Sequence, residues 1–249
     1  MKKNHLILTA AIAVLLLSTL ACQVSLGGIG VRTVRGSGEV ITVKRQVSDF
    51  DSVDLSGIGQ LSIEVGDEES LLVEAEDNLI QYIETEVNNG TLEISIKGNV
   101  NIQPTQAVKY YLTVRDLEAI SVSGAGNVET KWLEAARFSV HIPGAGGVDM
   151  DGLDADELDV HISGLGNLTI HGGVVKVQDV EISGSGSHDS RKMESAQADI
   201  SLSGLGNAAV WVTDRLSVDI SGAGTVKYAG DPSVDSNVSG LGSIQKIWE

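Results

Sequence analysis

The sequence predicts an all-β chain wound as a parallel β-helix, a β-solenoid with coils of about 18–20 residues and a β-strand cap at its N-terminal end. Three observations predict the coil stack. The tetrapeptide Ser-Gly-x-Gly, or a near copy, begins at Ser56, Ser123, Pro143, Ser163, Ser183, Ser203, Ser221 and Ser239, and its first glycines in the later part of the chain are almost evenly spaced at Gly124, Gly144, Gly164, Gly184, Gly204, Gly222 and Gly240. Short alternating segments flank each copy, such as Val140-His141-Ile142 before and Leu168-Thr169-Ile170 after. No segment holds a 3.6-residue period for three turns, and the glycine density would cost a helix about 1 kcal/mol per Gly.

A single coil of this length cannot bury its apolar side, so coils must stack, about 4.8 Å apart as neighbouring strands. Alternation then sends Val140, Val160, Val180, Ile200 and Val218 inward as one column, and Ile142, Ile162, Ile182, Leu202 and Ile220 as another. The residue after each motif forms an outer column of Asn127, Gly147, Asn167, Ser187, Asn207, Thr225 and Ser243, whose side chains can satisfy one another and the turn backbone. The paired glycines supply either a positive φ or a tightly approached backbone at the corner.

From the N-terminus, Lys2 and Lys3, the apolar run Leu6–Leu17 and Ala21 before Cys22 form a secretory signal peptide over residues 1–21. The apolar run is too short for a comfortable membrane span of about 20 residues. Cys22 is the only cysteine, which rules out an internal disulfide. Its setting after Leu20-Ala21 resembles the lipobox of bacterial lipoproteins, with Thr19 where that motif usually has Leu. The resemblance implies acylation of Cys22, a membrane partner reached through lipid, and residues 22–37 as lipidated Cys and tether. Export places the chain in the bacterial cell envelope.

Loss of Lys2 and Lys3 takes the formal charge from −17 to −19, which argues against nucleic acid or an anionic membrane surface as a partner. Residues 38–249 then form the solenoid domain. Within it, Phe50–Gly59 matches Leu117–Gly126 residue class by residue class, so these two segments are expected to be equivalent positions of two coils. The insertion between them carries strands at Leu71–Ala75 and Val108–Val114, and a hairpin, Tyr82–Val87 with Thr91–Ile96, turning at Asn88-Asn89-Gly90. Residues 38–116 are therefore expected to cap the open strand edge, and 117–249 to form the regular coils.

The Phe50–Gly59 entry motif, Asp77-Asn78-Leu79-Ile80, Asn89-Gly90-Thr91-Leu92 and the Ser-Gly-x-Gly array together resemble the auto-transporter adhesin head, or GIN, domain family. The resemblance covers nearly all of the chain after Gly38. It implies a right-handed β-solenoid on a secreted or surface protein of bacteria and brings no catalytic residues. An auto-transporter would add a C-terminal β-barrel; here the array runs to Ile247-Trp248-Glu249, and the expected anchor is Cys22 instead.

Residues that could carry chemistry each have a plainer structural role. His141 and His161 share a repeat position, but Glu181, Ser201 and Asp219 follow in the same column, which makes it a polar outer face and not a metal site. Asp149, Asp151, Asp154, Asp156 and Asp159 are the densest acidic stretch; their spacing fits neither the EF-hand loop nor the nonapeptide of calcium β-rolls and reads first as a solvated corner, with calcium binding as the alternative. Asp159, Asp179 and Asp199 stack, so cations or solvent must offset their repulsion. The serines belong to the turn repeat, and no Gly-x-Ser-x-Gly elbow occurs. No catalytic residue, cofactor or metal ligand is therefore assigned, and Cys22 is the single site residue. The expected function is binding or adhesion to a glycan or surface protein, with Trp132 and Trp211 as candidate contact aromatics. Alternatives are a self-associating envelope scaffold, a homo-oligomer, and, more distantly, a polysaccharide-active enzyme.

Overall fold

The computed structural model describes residues 31–247, so Cys22 and the predicted signal peptide lie outside the described residues. The chain enters through β1 (Arg32–Arg35) and β2 (Val40–Arg45), then builds a first coil from β3 (Ser52–Leu55), the Ser56-Gly57-Ile58-Gly59 corner and β4 (Gln60–Val65). The insertion follows: β5 (Ser70–Glu76), a 3-10 turn at Ile80–Tyr82, β6 (Ile83–Asn88), β7 (Thr91–Ile96), β8 (Val100–Gln103) and β9 (Lys109–Val114). The regular array comprises β10 (Ala119–Ser121), β11 (Asn127–Ile142), β12 (Gly147–Ile162), β13 (Asn167–Ile170) and β14 (Gly173–Ile182). It continues with β15 (Ser187–Leu202), β16 (Asn207–Ile220), β17 (Thr225–Ala229), β18 (Ser233–Val238) and β19 (Ser243–Lys246).

Successive coils pair in parallel and in the register the repeat predicts. Val140 pairs with Val160, Val160 with Val180, Val180 with Ile200 and Ile200 with Val218. Both predicted inner columns are buried along their whole length. Each such aliphatic side chain contributes about 1.5–3 kcal/mol relative to exposure, which is how coils that are individually unstable hold together. The outer Asn column also forms as expected: Asn127 Oδ1 accepts from the Gly147 amide, Asn167 Oδ1 from Ser187 Oγ, and Asn207 Oδ1 from the Thr225 amide.

The strands are longer than the alternating segments suggest, because each runs around bends. In β11 the inward residues are Val128 and Thr130, then Leu133 and Ala135, then Phe138, Val140 and Ile142. The alternation is interrupted by two outward pairs, Lys131-Trp132 and Ala136-Arg137, and the coil-to-coil pairing skips Lys131 and Ala136. Those pairs are two corners of a three-sided coil, and Ser-Gly-x-Gly is the third.

At the third corner the glycines answer to close approach. None of the array's motif glycines has a positive φ; only Gly59 of the first copy does, at 115°. A β-carbon on Gly144 would overlap the Gly124 carbonyl oxygen, and one on Gly164 would overlap that of Gly144. The corner is thus a stack of backbone on backbone, with Ala145 N donating to Gly124 O and Leu165 N to Gly144 O, each at 3.0 Å.

The insertion caps the N-terminal end. β3 pairs with β10 on one side and β7 on the other, and β4 likewise lies between β11 and β9. Ser52 aligns with Ala119 and Val53 with Ile120, so the Phe50 and Leu117 segments are neighbours in adjacent coils. The hairpin forms with Asn89 and Gly90 at φ 51° and 80°, as a turn of this kind requires. β5 then pairs antiparallel with β9, and β2 with β5, which ends the parallel ladder. Glu76 ties the cap together: its buried carboxylate accepts from the Gly38 amide at 2.6 Å and from the Thr105 amide and hydroxyl at 2.9 and 2.6 Å. The Thr105 hydroxyl, with these amides, holds Glu76 below its ordinary pKa.

Candidate functional site

The first bend after each Ser-Gly-x-Gly corner forms one long edge of the solenoid. Trp132 and Trp211 both lie on it, four coils apart, or about 19 Å at the ordinary strand spacing. Trp132 lies flat along this edge. A β-carbon on Gly152 would stand only 2.3–2.7 Å from three of its ring atoms, and one on Gly172 would stand 3.3 Å from Cζ3, so the two small residues seat the indole across two further coils. Trp132 Nε1 donates to Asp154 at 2.9 Å, which fixes the orientation and leaves the residue 47% exposed.

Beyond Gly172 the edge opens into a notch of about 690 Å³, lined by His171, Arg191, Lys192, Trp211, Ala229 and Ile247 among others. Its cause is a break in register between β15 and β16. Ser190 pairs with Val210, but the next pair is Glu194 with Trp211, so Arg191, Lys192 and Met193 have no counterpart on β16. A second shift follows between Ser195 and Gln197 and returns part of the offset. The net effect is a shorter coil, whose motif glycine steps from Gly204 to Gly222 where the preceding step ran from Gly184 to Gly204. Met193 turns into the core, while Arg191 and Lys192 stand out over the retreating coil. A second hollow of about 500 Å³ adjoins the notch, sharing Asp189 and Arg191 and adding Lys227.

The broken ladder is repaired from inside. Ser195 Oγ donates to the Trp211 carbonyl at 2.8 Å and accepts from Gln178 Nε2 at 2.7 Å. Gln178 Oε1 accepts from Ser190 Oγ at 3.2 Å and lies 3.3 Å from His188 Nε2. All four side chains are buried. Burial pushes the His188 imidazole down to about 4, so it is neutral at pH 7, and its Nδ1 has no hydrogen-bond partner among the described residues.

Ion pairs flank the notch. Arg191 makes a two-point contact with Asp189, at 2.9 Å from Nε and 2.6 Å from Nη2, and this hydrogen-bonded cation lowers the Asp189 pKa. His171 Nε2 stands 3.1 Å from Asp149. Lys192 and Lys227 are exposed and form no ion pair among the described residues.

The acidic stretch does not converge. Asp149 faces His171, Asp151 faces Lys131, Asp156 faces Lys176 and Asp159 faces His161, while Asp154 accepts from Trp132 and the Val174 amide. Among the described residues no group of three or more His, Cys, Asp or Glu side chains is arranged to hold a metal ion. His141 and His161 meet edge to face at 6.2 Å, and His161 spends both ring nitrogens on Asp159 and Glu181. Asp159, Asp179 and Asp199 do stack, and desolvation with the charges of Asp159 and Asp199 raises the Asp179 pKa. Sequence reasoning singled out both tryptophans but not the notch residues Arg191 and Lys192, nor the buried His188 network.

A family model described as "Putative auto-transporter adhesin, head GIN domain" matches residues 49–232. The chain belongs to this family. By that description the GIN domain is an adhesin family and not an enzyme family. A solved "putative adhesin" from Bacteroides fragilis superposes with a TM-score of 0.82 at 23% identity, covering 86% of this chain and 100% of its own. A "putative lipid binding protein" from Parabacteroides distasonis gives 0.74 at 23% identity, covering 87% and 100%. A "putative adhesin" from the same species gives 0.68 at 22%, covering 86% and 100%. At these identities the likeness establishes a shared GIN-domain fold. No curated protein matches the sequence. No helix among the described residues is long and apolar enough to cross a membrane.

Proposed function

We propose that this GIN-domain chain is an envelope-anchored binding protein of the adhesin class, and that the edge from Trp132 to Trp211 is its ligand face. Residues 1–21 direct export, Cys22 carries the lipid, residues 22–37 form the tether, and residues 38–249 display the solenoid. The observation that carries the reading is the notch. In an array whose register repeats coil after coil, the ladder breaks where a tryptophan, two cations and apolar residues surround an open cleft. An indole face with neighbouring polar groups suits a sugar ring or an extended surface chain. The role is binding without turnover. The corner serines serve the fold, as Ser123 does by donating to Asp54 at 3.0 Å.

Binding of the purified protein to an array of glycans and bacterial or host surface proteins tests this. A saturable ligand whose binding drops at least about tenfold in a Trp132→Ala/Trp211→Ala variant supports it. Silence across the array, or binding indifferent to both substitutions, overturns it. Labelling of cells with a radioactive fatty acid tests the anchor. Label on the full chain that disappears in Cys22→Ala supports lipidation, and unchanged label refutes it.

One observation favours a second reading, a self-associating scaffold. The Ser-Gly-x-Gly corner is an uncharged strip on a chain of charge −17, and its tips in the array read Ala125, Ala145, Leu165, Ser185, Leu205, Ala223 and Leu241. Leu165, Leu205 and Leu241 are 66%, 66% and 91% exposed. A two-fold axis between the Ser185 and Leu205 coils would set Leu165 against Ala223, Leu205 against Ser185 and Leu241 against Ala145 of a second copy. Sedimentation showing a dimer that Leu205→Asp dissolves would favour this reading over the first.

A further inference from the structure

We propose that the ligand taken by the notch is a saccharide chain bearing an anionic group, carboxylate or sulfate. This rests on the reading of the tryptophan edge as a binding face. The whole chain carries 34 acidic against 17 basic residues, so a surface stretch with uncommitted cations is a local exception. Such a stretch lies here. Lys192 projects beside the notch from the unpaired bulge of β15, and Lys227 lines the adjoining hollow two coils further on. Both are exposed, and neither is held by a carboxylate of the described residues, whereas Arg191 between them is clamped by Asp189. Uncommitted cations on either side of a clamped one give two charge contacts that cost no internal ion pair when a ligand arrives.

The column between these charges is shaped to admit a chain. It runs from Asp189 to Ala209 to Lys227, so the middle position has only a methyl group and forms a dip. Trp211 beside it presents an aromatic surface, and Ala229 and Ile247 continue the apolar wall. The notch and hollow are continuous through Asp189 and Arg191 and stretch along the solenoid axis. The Trp132 indole, seated over Gly152 and Gly172, extends the same line past His171. Apolar ring faces with flanking cations match a pyranose chain, whose rings have apolar faces, when its substituents are negative. A small anion would not use the tryptophans, and a neutral glycan would leave Lys192 and Lys227 without a role.

Titration calorimetry of the purified protein against an oligogalacturonate, its fully methyl-esterified form and a heparin-derived oligosaccharide tests the inference. The acidic chains are expected to bind at least about tenfold tighter than the methyl ester at low salt, with the margin shrinking as salt rises. Lys192→Glu/Lys227→Glu should erase that margin while leaving the melting temperature unchanged. Trp211→Ala should weaken acidic and esterified chains by the same factor. Esterified and acidic chains binding equally, with dependence on the tryptophans retained, would overturn the anionic inference and spare the binding edge. Binding of an acidic chain that survives loss of both tryptophans would overturn this inference and, with it, the edge as a saccharide face; no binding of any of the three would overturn this inference alone, the edge being judged by the array.

Discussion

Ser195 Oγ donates a 2.8 Å hydrogen bond to the main-chain carbonyl of Trp211, the residue at which the β15–β16 ladder loses register. The same hydroxyl accepts from Gln178 Nε2, so one buried side chain links the core network to the backbone of the notch. Ser195→Ala would remove this donor from the carbonyl and this acceptor from the Gln178 amide. A stability loss of about 2–3 kcal/mol is expected in denaturant unfolding. Ser195→Thr, which keeps the hydroxyl, should lose less.

Gly152 is buried under the indole of Trp132, where a β-carbon would clash with the ring at 2.3 Å. Gly152→Ala should therefore lift Trp132 off the edge. Because the ring is half exposed it can swing into solvent, so the cost to stability should be only about 1 kcal/mol. The near-ultraviolet circular dichroism and the emission of Trp132 should change clearly, measured in a Trp211→Phe/Trp248→Phe background that leaves Trp132 as the single tryptophan.

The corner glycines predict a sharper contrast. A methyl on Gly164 would overlap the Gly144 carbonyl oxygen, which is held in the coil-to-coil ladder and cannot move away alone. Gly164→Ala should cost about 3 kcal/mol or more, by analogy with overpacked cores. Gly98 has no atom within 4 Å of the same position and no positive φ, so Gly98→Ala should change the melting temperature by little.

His188 makes stability depend on pH. Its folded-state pKa of about 4 lies below the unfolded value of about 6.5, so the unfolded chain takes up the extra proton first as the pH falls. The contribution is complete above about pH 6.5 and declines toward pH 4, with a loss of about 2 kcal/mol by pH 5. Unfolding of the protein and of His188→Leu at pH 7.5 and pH 5 checks this. The difference in stability between the two proteins should narrow or reverse by that amount, since the carboxylate contributions are common to both.

The coil stack was legible because two periodicities coincide. Period-two alternation says which residues point inward, and the spacing of Ser-Gly-x-Gly says which residues share a column. Together they place Val140 on Val160, and Asn127 on Gly147, without further information. The match between Phe50–Gly59 and Leu117–Gly126 reaches across the whole insertion to the right partner for the same reason. The two bends were not legible. Lys131-Trp132 and Ala136-Arg137 break the alternation only once their neighbours are known to face inward, and glycine stands at the first bend in only some coils, as at Gly152 and Gly172. The notch was hidden too, because the shorter step from Gly204 to Gly222 shows that the coil has lost length but not where. His188 occupies the column of Val128, Val148 and Leu168, a position that reads as apolar, and its partner Gln178 lies on another side of the coil.

Hydroxyl-radical footprinting of the purified protein, free and saturated with the strongest-binding array glycan, tests the ligand face most directly. Protection of Trp132, His171 and Trp211 is expected, with Leu165, Leu205 and Leu241 labelled as before. Protection of those leucines with both tryptophans unchanged would place the ligand on the glycine corner and contradict the tryptophan edge as the binding face.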